Sequence, residues 1–340
     1  MTLILGIESS CDDTAAAIVT SDRKILSNIV LSQVKEHMPY KGVVPEIASR
    51  AHMNYLEYAI KEALRVADVS MEEIDAIAAT GGPGLIGGVI VGTMFGKALA
   101  SCTGKAFIAV NHLEAHALTA RLTHNIEFPY LLLLISGGHC QFLIAKNVGD
   151  FQLLGQTMDD ALGEAFDKVA KMLELDYPGG PIIEKLASTG DPNKYKLPMP
   201  MCDREACDMS FSGLKTAVRI LIQKQSELQD ENFLENLSAS FQFTVLKILE
   251  YKILRAVHEY EKNFSNKKLV ISGGVAANQY LMNSLKTTLK KRNYELISPP
   301  INLCTDNASM VAWAGMEKFT RGEFTPLNFC PKARWPIYNL

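Results

Sequence analysis

Two short apolar runs, Leu3–Ile7 and Thr14–Val19, flank the polar, acid-rich tip Glu8-Ser-Ser-Cys-Asp-Asp13 near the start of the chain. Such a cluster between apolar runs predicts a β-hairpin. Leu131–Ile135, the turn Ser136-Gly-Gly-His139 and Cys140–Ala145 repeat the plan further along. Each hairpin precedes a stretch of alternating helices and strands. The expected fold is therefore α/β, one hairpin-plus-α/β unit built twice, giving two similar lobes with a cleft between them. The first lobe takes residues 1–127, completed by a C-terminal helix and tail at about 308–340; the second takes residues 128–307.

Periodicity places the other elements. In the first lobe it predicts a long helix over Pro45–Ala67, a strand at Ile74–Ala79, a helix over Gly88–Cys102 and a strand at Phe107–Val110. In the second it predicts helices at Ala161–Leu173, Ile182–Ser188, Gly213–Gln223 and Glu231–Lys262. A strand at Leu269–Ile271 and a helix over Ala277–Lys290 follow, and a last helix covers Ala308–Thr320. The stretch Asp191–Asp208 lacks periodicity and reads as a surface excursion.

Composition narrows the class. The 340 residues are 48% hydrophobic and 21% charged, as in compact globular proteins. A net charge of −3 means that a nucleic-acid partner must be held by local basic segments, with Lys290-Lys-Arg292 and Lys332-Ala-Arg334 as candidates. The N-terminus does not read as a signal peptide, and no 18-residue apolar run is expected, so no membrane span is foreseen. Seven cysteines, an odd number with no Cys-x-x-Cys pair, fit reduced thiols in a cytoplasm.

The sharpest chemical signal is Asn111-His-Leu-Glu-Ala-His116. Asn111 suits an N-cap, and Glu114 falls where a capping-box acid belongs. His112 and His116 then lie one above the other on a single helix face, an ordinary face or two metal ligands. Asp306 is the best later candidate for a third ligand. The order is not His-Glu-x-x-His: Leu113 follows the first histidine, and Glu114 projects about 200° around the helix from His112, which argues against a zincin peptidase.

Three glycine-rich turns leave strands: Thr80-Gly-Gly-Pro-Gly84, Ser136-Gly-Gly138 and Ser272-Gly-Gly274; Tyr177-Pro-Gly-Gly180 adds a fourth. Together they point to nucleotide binding by backbone amides, although none is a Walker A loop or a dinucleotide fingerprint. Asp12 and Asp13 sit at the first hairpin tip, placed either for chemistry or as solvated turn residues. Asp167 could face a ribose or lie on a helix surface, and Asn278 could bind ligand or cap a helix. His139 ends a turn, and His52 could face either the cleft or the surface. His37, His124 and His258 are expected to face solvent.

Taken together, Gly6-Ile-Glu-Ser-Ser-Cys-Asp-Asp-Thr14, Val43-Val-Pro-Glu-Ile-Ala-Ser-Arg50, Gly81-Gly-Pro-Gly84, Asn111-His-Leu-Glu-Ala-His116, Ser136-Gly-Gly-His139, Tyr177-Pro-Gly-Gly180, Ser210-Phe-Ser-Gly-Leu-Lys215, Gly273-Gly-Val-Ala-Ala-Asn278 and Arg334-Trp-Pro336 resemble the TsaD/Gcp (Kae-type) family. These are tRNA threonylcarbamoyladenosine transferases, formerly described as endopeptidases. The resemblance runs from residue 3 to about 336, and the length is like that of the bacterial branch.

That resemblance implies an actin/Hsp70/sugar-kinase-like (ASKHA) fold and a transfer reaction. Threonylcarbamoyl-adenylate would donate its threonylcarbamoyl group to N6 of the adenosine just 3′ of the anticodon in tRNAs reading ANN codons, and AMP would leave. It implies a metal, iron (Fe2+) or alternatively zinc, on His112, His116 and Asp306. It implies substrate contacts at Leu134, Ile135, Ser136, Gly137, Gly138, Asp167, Gly180 and Asn278, and at Glu184, where many members carry Asp. Glu8 and Asp12 match the catalytic acids. Implied partners are tRNA, a paralogous TsaB-type subunit, a small TsaE-type ATPase and a TsaC/Sua-type synthase that supplies the donor. The stripe Ile47, Ala51, Tyr55 and Ala59 fits a partner-facing surface or a core face equally well. Rival readings are a kinase or ATPase of the same fold, a non-catalytic scaffold and, weakest, a metalloendopeptidase. The first two leave the His112/His116/Asp306 set without a role.

Overall fold

The computed structural model describes residues 1–40, 42–225 and 229–339. The chain divides into two compact units. One comprises Met1–Glu127, Asn147–Phe151 and Thr305–Leu340; the other comprises Phe128–Lys146 and Gln152–Cys304. Asp306 therefore belongs with the histidine helix.

The first unit is built on a five-stranded mixed sheet of order β3-β2-β1-β4-β5. Its strands are β1 (Leu3–Glu8), β2 (Asp13–Thr20), β3 (Ile25–Ser32), β4 (Ala76–Gly82) and β5 (Ala106–Asn111). β1 and β2 form the antiparallel hairpin, with Glu8 opposite Ala15, and β4 and β5 run parallel to β1. Alternate residues of β2 face opposite sides of the sheet. Ala16 and Ile18 enter a core with Leu56, Ala59 and Ile60, whereas Ala15 and Ala17 meet Ala308 of the last helix. Small residues on that face let the last helix approach closely. A Cβ added at Gly6 would lie 2.3 Å from the Ala308 carbonyl oxygen.

Four helices follow in this unit: α1 (Val34–His37), α2 (Pro45–Ala67), α3 (Ile86–Thr103) and α4 (His112–His124). α2 begins with Pro45 in its first turn and ends at Asp68, whose left-handed backbone closes the helix. Its buried face is Ala48, Ala51, His52, Leu56, Ala59, Ile60 and Ala63. Ala51 and Ala59 of the stripe read from sequence thus face the core, and the large exposed residues of α2 are Met53, Tyr58 and Val66. α3 corrects another expectation. It is long and apolar enough by length and composition to cross a membrane. Its apolar character comes from Ile, Val, Met, Phe, Leu and Ala side chains; its glycine face (Gly88, Gly92 and Gly96) is buried, and α3 packs on β4 and α2. Ile86, Ile90 and Met94 remain exposed.

The second unit carries a sheet of order β10-β9-β6-β7-β8. These strands are β6 (Tyr130–Ile135), β7 (Cys140–Asn147), β8 (Asp150–Gln156), β9 (Lys268–Ser272) and β10 (Glu295–Ile297). β6 pairs with β7 as a hairpin and with β9 in parallel, so Leu134 lies opposite Ser272. Its helices are α5 (Leu162–Met172), α6 (Gly179–Ala187), α7 (Ser212–Gln223), α8 (Phe233–Glu261) and α9 (Gln279–Lys290). The 191–208 excursion is tied down at several points. Tyr195, Leu197 and Cys207 are buried, and the fully buried Lys252 of α8 donates to the Ala206 carbonyl at 2.8 Å. The last helix of the chain, α10 (Ala308–Thr320), packs on β1, β2 and β4 of the first unit.

Candidate functional site

β5 runs directly into α4 because Asn111 stops the strand and starts the helix. Its side-chain oxygen accepts from Leu113 N at 2.9 Å and Glu114 N at 3.2 Å, satisfying amides left open at a helix start. The expected capping box does not close. Glu114 instead accepts from Gly149 N at 2.8 Å and pairs with Lys318 of α10 at 3.0 Å, fully buried. An unpaired carboxylate at that depth is costly, so it takes the available cation. Glu114 is thereby unavailable as the base of a peptidase.

His112 and His116 rise from the same face, with ring centroids 4.7 Å apart and planes 88° to each other. Asp306 comes from the loop ahead of α10, whose start is capped by Asn307 through Met310 N at 3.1 Å. Its Oδ1 lies 3.1 Å from His116 Nε2 and 3.5 Å from His112 Nε2. One ligand atom from each residue falls within 4.8 Å of the others. Two imidazole nitrogens and one carboxylate oxygen converging in this way form a donor set suited to a first-row transition metal, with positions left open.

The far side of His112 is built to match. Its Nδ1 stands 3.0 Å from Glu8 Oε2 and 3.1 Å from Ser10 Oγ. Glu8, at the end of β1, is completely buried, and it also accepts from Ser10 N at 2.5 Å and Thr80 Oγ1 at 2.6 Å. With both oxygens engaged, Glu8 orients His112 and aims its Nε2 outward. Burial alone would push the Glu8 carboxyl up, but His112 and Thr80 hold it below its ordinary value. Burial likewise pulls the His112 imidazole down; the charges of Asp306 and Glu8 outweigh it and carry it up to about 9.

Asp12 and Asp13 are half-buried at the hairpin end rather than fully solvated. Burial and the charge of Asp306 raise the Asp12 carboxyl. Burial, then Asp306 and Asp12, push Asp13 up to about 7. Carboxylates thus crowd two imidazoles, a balance that a bound cation would relieve.

Beneath the tip lies a polar chain that sequence reasoning missed. His52 is fully buried, its Nε2 donating to the Cys11 carbonyl at 3.1 Å and its Nδ1 2.8 Å from Thr14 Oγ1. Gln33 reaches Thr14 and His52, both at 3.2 Å. His37, expected at the surface, is also fully buried, with Nε2 donating to Gln33 Oε1 at 3.3 Å and Nδ1 accepting from Val44 N. It sits inside because Gln33 and the turn before α2 satisfy both ring nitrogens. His124 and His258 are exposed as expected, and His139 is intermediate. Gln33 and His37 stand four residues apart, but His52 lies 19 to 41 residues from its partners, so only the fold joins it to them.

The second unit assembles the residues matched to substrate. Leu134 and Ile135 are buried at the end of β6, and Ser136–Gly138 form the turn beyond it. Gly163 N, at the start of α5, donates to Ser136 O at 3.2 Å. The third glycine turn abuts the second: Gly273 has φ +98, and a Cβ there would lie 2.4 Å from the Ile135 oxygen. Asp167 accepts from Gly179 N at 2.9 Å, Glu184 from Tyr280 N at 3.0 Å, and Asn278 caps α9 through Leu281 N at 2.9 Å. Asn278 also donates to Gln242 at 2.9 Å. These positions thus form one linked set in which each polar side chain ties two segments together. Around Gly137, Gly138, Gly180 and Gly274 a Cβ would meet nothing within 4 Å, so a ligand can approach the backbone there.

The Ser210–Lys215 motif also finds its place. Asp159 accepts from Phe211 N at 2.8 Å and from both serines, while Asp160 pairs with Lys168 at 2.6 Å and with Lys215. None of these carboxylates was singled out from sequence, since their partners lie some fifty residues apart.

A family model described as tRNA N6-adenosine threonylcarbamoyltransferase matches residues 24–313. Similar curated relatives carry the same name. One from Rickettsia bellii (strain OSU 85-389) is 61% identical over 339 residues, 99% of each chain. One from Rickettsia massiliae (strain Mtu5) is 57% identical over 343 residues, covering 100% of this chain and 99% of the relative. Among solved structures, HypF from T. kodakarensis aligns with TM-score 0.61 at 14% identity, over 95% of this chain and 48% of that one. A ROK hexokinase from Thermus thermophilus aligns with TM-score 0.50 at 16% identity, over 95% and 99%. The two five-stranded mixed sheets and these likenesses show an actin/Hsp70/sugar-kinase-like α/β fold.

Proposed function

The chain belongs to the TsaD family of tRNA N6-adenosine threonylcarbamoyltransferases, and from that membership we propose how its residues divide the work of modifying tRNA. The enzyme transfers a threonylcarbamoyl group to N6 of an adenosine in tRNA. The donor is threonylcarbamoyl-adenylate, the acceptor is the adenosine just 3′ of the anticodon in tRNAs reading ANN codons, and AMP leaves. The mixed anhydride is already activated, so no covalent intermediate with the protein is needed. What the protein must supply is position and charge stabilisation.

Backbone amides of Ser136–Gly138, the open turn at Gly180 and Asn278 hold the adenylate. Asp167 and Glu184 keep those turns in register through the amides of Gly179 and Tyr280. Asp12 positions the adenine amine and takes its proton, a task suited to a carboxylate raised above its ordinary value. Glu8 holds His112 so that its Nε2 faces Asp306. An ion on His112, His116 and Asp306, iron in this reading and zinc as the alternative, supplies Lewis acidity toward donor oxygens when bound. The observation that carries the reading is the convergence of those three ligand atoms within 4.8 Å, on a helix whose first histidine is oriented by a buried carboxylate. The target base lies in a single-stranded loop, so no duplex need open.

The reaction takes place in the cytoplasm with partners. A paralogous TsaB-type subunit docks on the exposed apolar residues of α2 and α3, namely Met53, Ile86, Ile90 and Met94. A TsaE-type ATPase resets the assembly, and a TsaC/Sua-type synthase makes the donor. The test is to incubate the purified chain with unmodified tRNA, threonine, bicarbonate, ATP and these partners, then to digest the tRNA and weigh its nucleosides. Threonylcarbamoyladenosine that appears only when the chain is present supports the reading. Its absence with every component active overturns it.

A further inference from the structure

The C-terminal tail crosses the first unit as an extended strap. Thr325 N donates to Phe107 O at 2.8 Å, Lys332 N to Gly81 O at 2.8 Å, and Ala333 O accepts from Gly84 N at 3.2 Å. At its end Trp335 O accepts from the Asn111 side chain at 2.8 Å. Asn111 is the cap of α4, so the strap finishes one residue from His112.

The strap is basic and held still. The Lys332 ammonium stands 4.6 Å from the centroid of Trp335 and 5.8 Å from that of Phe329. Lys97, from α3, stands 6.0 Å from the same Phe329 ring and donates to the Phe329 carbonyl. Phe329 and Trp335 lean on each other with centroids 5.6 Å apart. Arg334, two residues beyond Lys332 in the chain, is exposed. Among the described residues, no carboxylate pairs with Lys97, Lys332 or Arg334. Two like charges gathered on one ring, with no carboxylate partner among the described residues, repel one another until an anion arrives. The aromatic pair fixes the ammonium positions, which lowers the entropy lost when they engage a ligand.

We infer that this strap is the surface on which the tRNA phosphate backbone docks, Lys97, Lys332 and Arg334 each meeting a phosphate beside the metal helix. The inference rests on the reading of the chain as a tRNA-modifying enzyme and names where that substrate is held. It also separates the two basic segments of the sequence. Lys290-Lys-Arg292 lies at the end of α9, exposed, and neither ring-held nor tied to α4.

The test measures binding of an unmodified tRNA that reads an ANN codon to the metal-loaded full chain, by fluorescence anisotropy across a salt series. Each lost phosphate contact lowers the slope of log affinity against log salt by about 0.7–0.9. The Lys97→Ala/Lys332→Ala/Arg334→Ala variant is expected to lose about two units of slope and at least about tenfold in affinity at 0.1 M salt. Lys97→Arg/Lys332→Arg retains both, and so does Lys290→Ala/Arg292→Ala. Should the triple variant fail to fold by circular dichroism, Arg334→Ala alone, at an exposed position, should lose about one unit of slope. Wild-type slope and affinity in the Ala variants, or a loss that falls on Lys290→Ala/Arg292→Ala instead, would overturn the strap. Nucleoside analysis run in parallel separates the two ideas: a wild-type chain that modifies tRNA while its Ala variants bind normally sinks only the strap.

Discussion

The two units solve the problem of building a site in opposite ways. In the first, side chains do the holding: Glu8 is saturated by Ser10, Thr80 and His112, and His52 is saturated by Cys11, Thr14 and Gln33. In the second, backbone does it. Turns at Ser136 and Gly273 abut, and four glycines open onto space. The difference matches the ligands each would take. A metal ion needs a few donors fixed to tenths of an ångström, which only buried, hydrogen-bonded side chains provide. An adenylate presents phosphate and ribose over a broad face, which exposed amides contact without crowding. Charge follows the same division. In the first site burial and the neighbouring acids Asp306 and Asp12 push Asp13 up to about 7, whereas the turns of the second carry no carboxylate of their own.

The contrast breaks most completely at the proposed metal ligands. Chain carrying His112→Ala and His116→Ala should hold almost no metal by elemental analysis, against about one ion per chain for the wild type, and should lose transfer with it. Full occupancy in that variant would remove the basis for calling this a metal centre. Next in size is Asp12→Ala. Circular dichroism and the melting temperature should barely move, while transfer at saturating donor falls by about 10²–10⁴. Near-normal transfer would show that the acid is dispensable.

Two smaller effects sharpen the backbone side. Gly273→Ala must place a side chain at positive φ against the Ile135 carbonyl, costing about 1–3 kcal/mol in urea unfolding. Gly180→Ala meets nothing within 4 Å and should leave unfolding unchanged, so that any loss of activity there reports ligand contact. Equal destabilisation by both would mean that the turns are structural alike. A further effect, confined to high pH, belongs to Asp13. Its carboxyl is raised from 3.8 to about 7, so the folded chain binds the proton more tightly than the unfolded one. Stability from this group is therefore greatest at low pH, declines as pH rises from about 4 to about 7, and stays low above that. Asp13→Asn in the metal-free chain should raise the melting temperature by a few degrees at pH 8 and by little at pH 4. The opposite ordering would show that the acids are not crowded.

Legibility in the sequence tracked local physics. α2 and α10 lie where the pattern put them, Pro45–Ala67 and Ala308–Thr320, because each has a strong start signal and an uninterrupted apolar face. β3, β8 and β10 escaped notice. All three are at or next to sheet edges, where one face is wet and the alternation is broken by residues such as Ser27 and Asn28. The burial of His37 has a related cause: polar neighbours suggest solvent, but the Gln33 side chain and the Val44 backbone N–H satisfy its ring inside the fold. Glu114 was given to its own helix start, and Lys318, some two hundred residues away, claimed it. The Ile47 stripe had a helical period, and period alone does not say which side meets the sheet.

By itself the sequence determined what local rules and short motifs can determine: the helices with caps and period, the hairpins with polar tips, the pairing of His112 with His116 on one face, and the family. The sequence offered Asp306 as a third ligand; tertiary structure decided the geometry in which it closes on those histidines, that Glu8 turns inward to hold one of them, and that the tail reaches back to Asn111. The physical reason is range. A cap or a turn is settled by interactions within four residues, whereas each of these contacts joins segments 104 to 224 residues apart that meet only when the sheet of the first unit brings their ends together.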